Sequence, residues 1–172
     1  SDDGEPKAVD RVSVTKSEIE ELVGIGVEQL SLYERALMHR SVLRDEDMRF
    51  AESNERLEFL GDAVLGMLVA EYLYEQFPDR DEGFLTQMRS KLVNNKRALA
   101  RFANAIDLGD HVILSSNMDQ SGGRENASIL ADAFEAVIGA LYLDQGQEAA
   151  RRFVDAVIFT SMDVREIAEQ RY

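Results

Sequence analysis

Cysteine is absent from the 172 residues, which removes disulfides and thiolate metal sites from consideration and fits a reducing compartment. Only two histidines, His39 and His111, are present, so a histidine-rich zinc centre is poorly supplied. Proline occurs twice, leaving long stretches free to be helical. No apolar run approaches the roughly 20 residues that span a bilayer, and the acidic, polar start is unlike the basic-then-apolar order of a signal peptide. A soluble, cytoplasmic protein with no membrane partner is expected. Positive charge is scarce as well: 19 Lys and Arg stand against 33 Asp and Glu, a formal net charge of −14. Binding to nucleic acid normally draws affinity from Lys and Arg set against phosphates, so the balance argues against tight binding of a polyanion by this chain alone.

What is present is helical periodicity. Residues 1–14 are polar and aperiodic and read as a flexible arm. Thr15 and Glu18 have the spacing of a capping box, opening a helix that Gly24 and Gly26 would end. Ser31 opens a second, with Leu32, Ala36 and Leu37 on one face, and the charged stretch 44–53 reads as a loop. From Asn54 to Phe77 the apolar positions Leu57, Leu60, Val64, Leu68, Tyr72 and Leu73 recur at helical spacing, with Pro78 as a stop. Two further helices are predicted, from Glu82 or Phe84 to about Val93 and from Asn95 to Ala105. Residues 106–121 keep no lasting period. Gly122-Gly123 marks a hinge-like turn before a strongly apolar helix, Ser128–Tyr142, and an amphipathic helix over 147–159 precedes a polar tail. No stretch alternates with the period of two that strands require, so the expected fold class is all-α, with one domain over residues 15–160.

The carboxylates are informative through their settings. Asp62 is the only charge between Phe59 and Ala70, and Glu135 the only one between Ala133 and Leu143. A buried carboxylate without a partner is costly and must be paired, protonated or bound to metal. Glu58 and Asp62 are four apart and share a helix face; Asp132 and Glu135 are three apart and share another. Should the faces meet, four oxygen-rich side chains converge with few cations nearby in sequence, an arrangement suited to Mg²⁺ and metal-assisted phosphodiester hydrolysis. Spacing of this kind also occurs on ordinary solvated helix faces.

A more specific signal lies in the residues themselves. Asn54-Glu55-Arg56-Leu57-Glu58-Phe59-Leu60-Gly61-Asp62-Ala63 resembles the signature stretch of the ribonuclease III family, and Ser128 to Ala140 is similar to that family's other catalytic helix. His39-Arg40-Ser41, Asp81-Glu82-Gly83 and Gly122-Gly123-Arg124 extend the likeness over roughly residues 20–160. The resemblance implies a symmetric homodimer that cuts double-stranded RNA with Mg²⁺, Mn²⁺ serving as a substitute, and leaves 5′-phosphate ends and short 3′ overhangs in rRNA and other RNA processing. It implies metal-ligand roles for Glu58, Asp62, Asp132 and Glu135, with Asp62 and Glu135 catalytic. Glu55 and Glu82 match supporting acids of the cleft and subunit boundary; the alternative is plain surface glutamates. Phe59 matches an aromatic that enters a pocket of the partner subunit; the alternative is an aromatic in its own core.

Arg89, Lys91, Lys96, Arg97 and Arg101 form the densest basic run, from which contacts to RNA phosphates are expected, a solvated helix face being the alternative. His39 is expected to be structural. Bacterial enzymes of this family usually continue into a double-stranded-RNA-binding domain, so residues 161–172 read as a tail or the start of a linker to one. A non-catalytic, ribosome-associated scaffold on the same fold is the competing function, and the retained acids disfavour it. A helical di-metal oxidase would call for Glu-x-x-His pairs, and neither histidine is so placed.

Overall fold

The computed structural model describes residues 14–43, 53–160 and 164–169. Apart from Val14 and Ser53, the expected arm over 1–14 and the charged loop over 44–53 lie outside the described residues. The helices are α1 (Lys16–Val23), α2 (Leu30–Leu37), α3 (Glu55–Gln76), α4 (Glu82–Val93), α5 (Lys96–Ala105), α6 (Ser116–Gln120), α7 (Ala127–Gln145), α8 (Gln147–Val154) and α9 (Val164–Glu169). Tight single turns at Arg40–Val42, Leu108–His111 and Gly123–Glu125 link them. Among the described residues the extended pairing is a single parallel bridge, Met38 to Ile113, so the all-α expectation holds. No described helix is long and apolar enough to cross a membrane.

Local chemistry sets most helix ends. The Thr15 hydroxyl accepts the Glu18 amide while the Glu18 carboxylate accepts that of Thr15, the predicted capping box. Gly24 closes α1 in the left-handed region at φ 78°, where glycine carries no Cβ penalty. Asp81, Asn95 and Asn126 cap α4, α5 and α7 through their side-chain oxygens. The apolar helix α7 is the centre of the molecule: Ile129 to Leu141 is buried throughout except for Asp132, and α2, α3, α5 and α8 pack around it. Phe102, Phe134 and Phe153 run as tilted rings from α5 through α7 to α8, with centroids 6.2 and 6.0 Å apart.

Several details depart from periodicity. α2 begins at Leu30 and buries Tyr33 with Ala36 and Leu37, whereas Leu32, expected on the buried face, is only half-buried. The cause is distant in sequence: the Tyr33 hydroxyl donates to Asp144 at 2.8 Å, and that carboxylate also accepts the Glu28 and Gln29 amides. The aperiodic segment 106–121 carries fully buried Val112 and Ile113, and backbone bonds from His39 to Ile113 and from Ile113 to Leu37 stitch it to the end of α2. The glycine pair forms the expected turn, Gly122 in the left-handed region and Gly123 closely packed. A Cβ on Gly123 would lie 2.6 Å from Met118 Cγ, and Arg124 donates to the Gly109 and Val112 carbonyls at 2.7 Å each. The polar tail contains α9, whose Val164 is buried while Ile167 and Ala168 pack on the core.

The tightest feature is the crossing of α3 and α7. A Cβ built on Gly61 would stand 1.6 Å from the Glu135 carbonyl oxygen, and one on Gly139 would stand 2.4 Å from that of Leu57. Both positions meet backbone, which cannot rotate aside. Gly61→Ala and Gly139→Ala are therefore expected to cost about 3 kcal/mol or more each, read as a lower midpoint in thermal or urea unfolding; a midpoint within error of the parent's for either would show that the helices separate without penalty.

Candidate active site

The first two turns of α3 carry Glu55, Glu58 and Asp62, and the first half of α7 carries Asp132 and Glu135. Because the backbones touch at Gly61 and Gly139, the two acidic faces meet. Ligand atoms of Glu58, Asp132 and Glu135 all lie within 4.8 Å of one another. Asp62 is exposed and reaches the group through a hydrogen bond shared with Glu135. The cluster opens on a cleft of about 800 Å³ whose walls include His39, Asn54, Glu55, Lys96, Ser128 and Met118.

Glu135 is only 7% exposed. Burial, the hydrogen bond to Asp62 and the charges of Asp62, Glu58 and Asp132 push its carboxyl up to about 9. Burial, then the charge and hydrogen bond of Asp132, raise Glu58 to about 7, with Lys96 pulling the other way. Glu135 Oε2 is buried without any hydrogen-bond partner, and so is Asp132 Oδ1. Two orphaned carboxylate oxygens facing a set of ill-neutralised acids are the donor set that a hard divalent cation prefers, and its charge would replace the protons. The residues fit such an ion, with Glu58, Asp132 and Glu135 as the holding groups.

The remaining predicted positions divide. Glu55 lines the cleft, 3.9 Å from the Arg40 guanidinium. Glu82 lies on the exposed first turn of α4, where the Thr86 hydroxyl donates to it at 2.6 Å, and is not among the cleft's lining residues. Phe59 is 82% exposed, which rules out a place in its own core. His39 caps the turn Arg40–Val42, its Nδ1 accepting the Ser41 amide at 3.1 Å; burial and the neighbouring Arg40 lower its pKa. Arg97 is exposed and Arg89 half-buried, and Lys91, Lys96 and Arg97 share a shallow groove at the α4–α5 turn with Asn94 and Asn95. Lys96 also turns toward the acids: its ammonium donates to Ser128 Oγ at 2.8 Å and stands 3.4 Å from Asp132 Oδ1. Lys96 is not near these acids in sequence; the packing of α5 on α7 brings it to residues more than thirty positions away. Gly61 and Gly139 were missed as site-forming residues, although glycine in the middle of a long apolar helix is itself a sign of close packing.

A family model described as Ribonuclease-III-like matches residues 29–162. The chain is 47% identical over 143 residues to Ribonuclease 3 of Chlorobaculum tepidum, covering 82% of this chain and 52% of that one. It is 50% identical over 133 residues to Ribonuclease 3 of Chlorobium luteolum, covering 77% and 48%. The solved nuclease domain of ribonuclease III from Campylobacter jejuni, described as structurally flexible in the region involved in dimer formation, matches with a TM-score of 0.72 at 39% identity. It covers 81% of this chain and 98% of its own. The chain belongs to the ribonuclease III-like family. It spans about half the length of the curated relatives just described. As a ribonuclease III-like domain it holds both acid-bearing helices, α3 and α7, and the whole cleft between them inside the matched residues.

The raised carboxyls make a signed prediction for the metal-free ribonuclease III-like domain. The unfolded chain sheds the Glu135 proton near 4.5 and the folded chain near 9, so between these values the native state binds more protons and stability falls as pH rises. Glu58 acts in the same direction up to about 7. Glu135→Gln should remove most of the loss and be more stable than the parent at pH 8 in chelator, by about 1–3 kcal/mol, the usual cost of one ill-solvated buried group. Urea unfolding at pH 5 and pH 8 reads the difference; equal stabilities at pH 8 would mean that Glu135 ionises there without cost.

Proposed function

We propose that this domain is a divalent-metal-dependent endoribonuclease that hydrolyses phosphodiesters of double-stranded RNA. The observation that carries the reading is the meeting of Glu58, Asp132 and Glu135, with orphaned buried oxygens, on an open cleft in a chain of this family. Mg²⁺, with Mn²⁺ as a substitute, would supply activation of water and stabilisation of charge at the scissile phosphate. The protein's own part is to hold and aim. Glu58, Asp132 and Glu135 present oxygens from two helices locked at their crossing. Asp62 stands beside Glu135 and favours its protonated form until a cation is bound, and both are assigned catalytic roles. Glu135 and Glu58 give up protons as positive charge arrives, so loading of the site favours higher pH. Glu55, paired across the cleft with Arg40, supports the acid wall, and Glu82 is assigned to its outer margin.

Recognition follows from what the surface offers. A-form duplex is read through shape, phosphates and 2′-hydroxyls, and Arg89, Lys91, Lys96 and Arg97 around the α4–α5 groove are proposed to meet phosphates. Phe59 stands exposed one residue beyond Glu58 and is proposed to enter a pocket of a second copy, giving a symmetric homodimer with two identical sites, one per strand. Two sites in that relation produce staggered cuts, with 5′-phosphate ends and short 3′ overhangs, as required for processing rRNA and other structured RNA in the cytoplasm.

End-labelled duplex RNA at low salt should be cut with Mg²⁺, left intact with Ca²⁺ or chelator, and preferred over a single strand. Glu135→Gln should reduce cutting to the chelated background, and near-parental cutting by that variant would remove Glu135 from the reaction. Absence of cutting by the parent at high protein concentration, with bound duplex recovered intact, would favour a non-catalytic RNA-binding role. Phe59→Ala should raise the dimer dissociation constant by about tenfold or more, as expected for a central aromatic anchor; an unchanged sedimentation profile would return the residue to the ordinary surface.

A further inference from the structure

Lys96 has two features that an ordinary surface lysine lacks. Its ammonium is held by two groups on one face of α7, Ser128 Oγ at 2.8 Å and Asp132 Oδ1 at 3.4 Å, residues four apart and therefore stacked one turn above the other. It is also the cation beside an oxygen that is buried and accepts no hydrogen bond. Its charge is felt by Glu58, the second member of the cluster. Meanwhile the stem has little to keep it there: the side chain is 60% exposed, and away from the acids it borders the shallow groove with Lys91, Asn94 and Arg97.

We propose that Lys96 is a displaceable internal counter-ion of the acid cleft, occupying Asp132 ahead of a divalent cation and thereby lowering the cleft's affinity for that cation in the RNA-free protein. The inference rests on reading Glu58, Asp132 and Glu135 as cation-holding groups. An ammonium and a dication directed at the same carboxylate repel, and each competes for the orphaned oxygen, so the cation must either displace Lys96 or bind against its field. Displacement costs little packing because the stem is solvated, and the adjacent groove gives the ammonium somewhere to go. The cluster is thus kept from standing empty and unneutralised, and also from closing tightly on metal before substrate is present. Lys96 is a positioning residue in this scheme, acting on Asp132 and on the cation's occupancy rather than on the reacting atoms.

The test is a Mn²⁺ titration of the RNA-free chain, with free Mn²⁺ read by electron paramagnetic resonance, for the parent, Lys96→Gln, Lys96→Arg and Glu135→Gln. Lys96→Gln should bind Mn²⁺ about three- to thirtyfold more tightly, the effect of removing one nearby unit charge in a solvated cleft. Lys96→Arg should stay within about twofold of the parent, and Glu135→Gln should lose most binding. If Lys96→Gln binds no more tightly than the parent while Glu135→Gln loses binding, the counter-ion role is overturned and the cation site stands. If the parent and Glu135→Gln bind alike, the cation site itself is wrong and the counter-ion role falls with it. Equal tightening by Lys96→Gln and Lys96→Arg would also overturn the proposal, since arginine keeps the charge.

Discussion

The rest of the molecule depends on a backbone contact between two helices. Side chains usually hold helix axes 8–10 Å apart, but at Gly61 and Gly139 there is no side chain between α3 and α7, and the carbonyls of Glu135 and Leu57 occupy the space where a Cβ would stand. Aspartate and glutamate are short. At ordinary helix separation Glu58 on one helix and Asp132 and Glu135 on the other would each face water across a gap; at this crossing their oxygens come within 4.8 Å of one another. The same contact lets α7 sink into the core, so the helix that carries Asp132 and Glu135 is also the most buried one.

That choice sets packing against electrostatics. Helix α7 contributes an almost continuous apolar surface to the core, and Glu135 is carried inside with it, close to Asp62, Glu58 and Asp132. The strain of gathering like charges in a poorly solvated place has three outlets here: protonation, as the raised Glu135 and Glu58 carboxyls indicate; the Lys96 ammonium against Asp132; and a bound cation. All three act on the same few oxygens and so exclude one another in part, which couples metal loading to pH and to the position of a lysine. A site of this kind is expected to reduce stability, and the apolar packing around α7 offsets that cost.

The net charge of −14 takes on a different look once placed. The Tyr33 hydroxyl and the Glu28 and Gln29 amides converge on Asp144, which ties α2 to the end of α7. Glu18 caps α1 and meets His111 Nδ1 at 2.5 Å, and Glu71 pairs with Arg151 to join α3 to α8. Part of the acidity therefore serves the fold and part the cleft, while the densest run of basic residues, Arg89 to Arg101, lies along α4 and α5.

Helix positions were legible because their causes are local. Thr15 and Glu18, Gly24, Pro78 and the 3.6-residue recurrence from Leu57 to Leu73 act over a few residues, and a chain read in order exposes them. One acid of the candidate site was legible for a related reason: a lone charge in a long apolar helix conflicts with its surroundings when it is buried, as Glu135 is, whereas Asp62, chosen on the same ground, is exposed and is marked by the family signature alone. What only the tertiary structure decided is whatever rests on residues far apart. Tyr33 replaced Leu32 on the buried face because Asp144 lies 111 positions away; Lys96 left the basic run because Asp132 and Ser128 sit across a helix interface; Phe59 proved exposed because α3 turns that edge outward. Periodicity says which face of a helix is apolar, but not how closely two helices approach or which polar side chain crosses the gap, and in this protein the distance between α3 and α7 is what converts scattered carboxylates into a site.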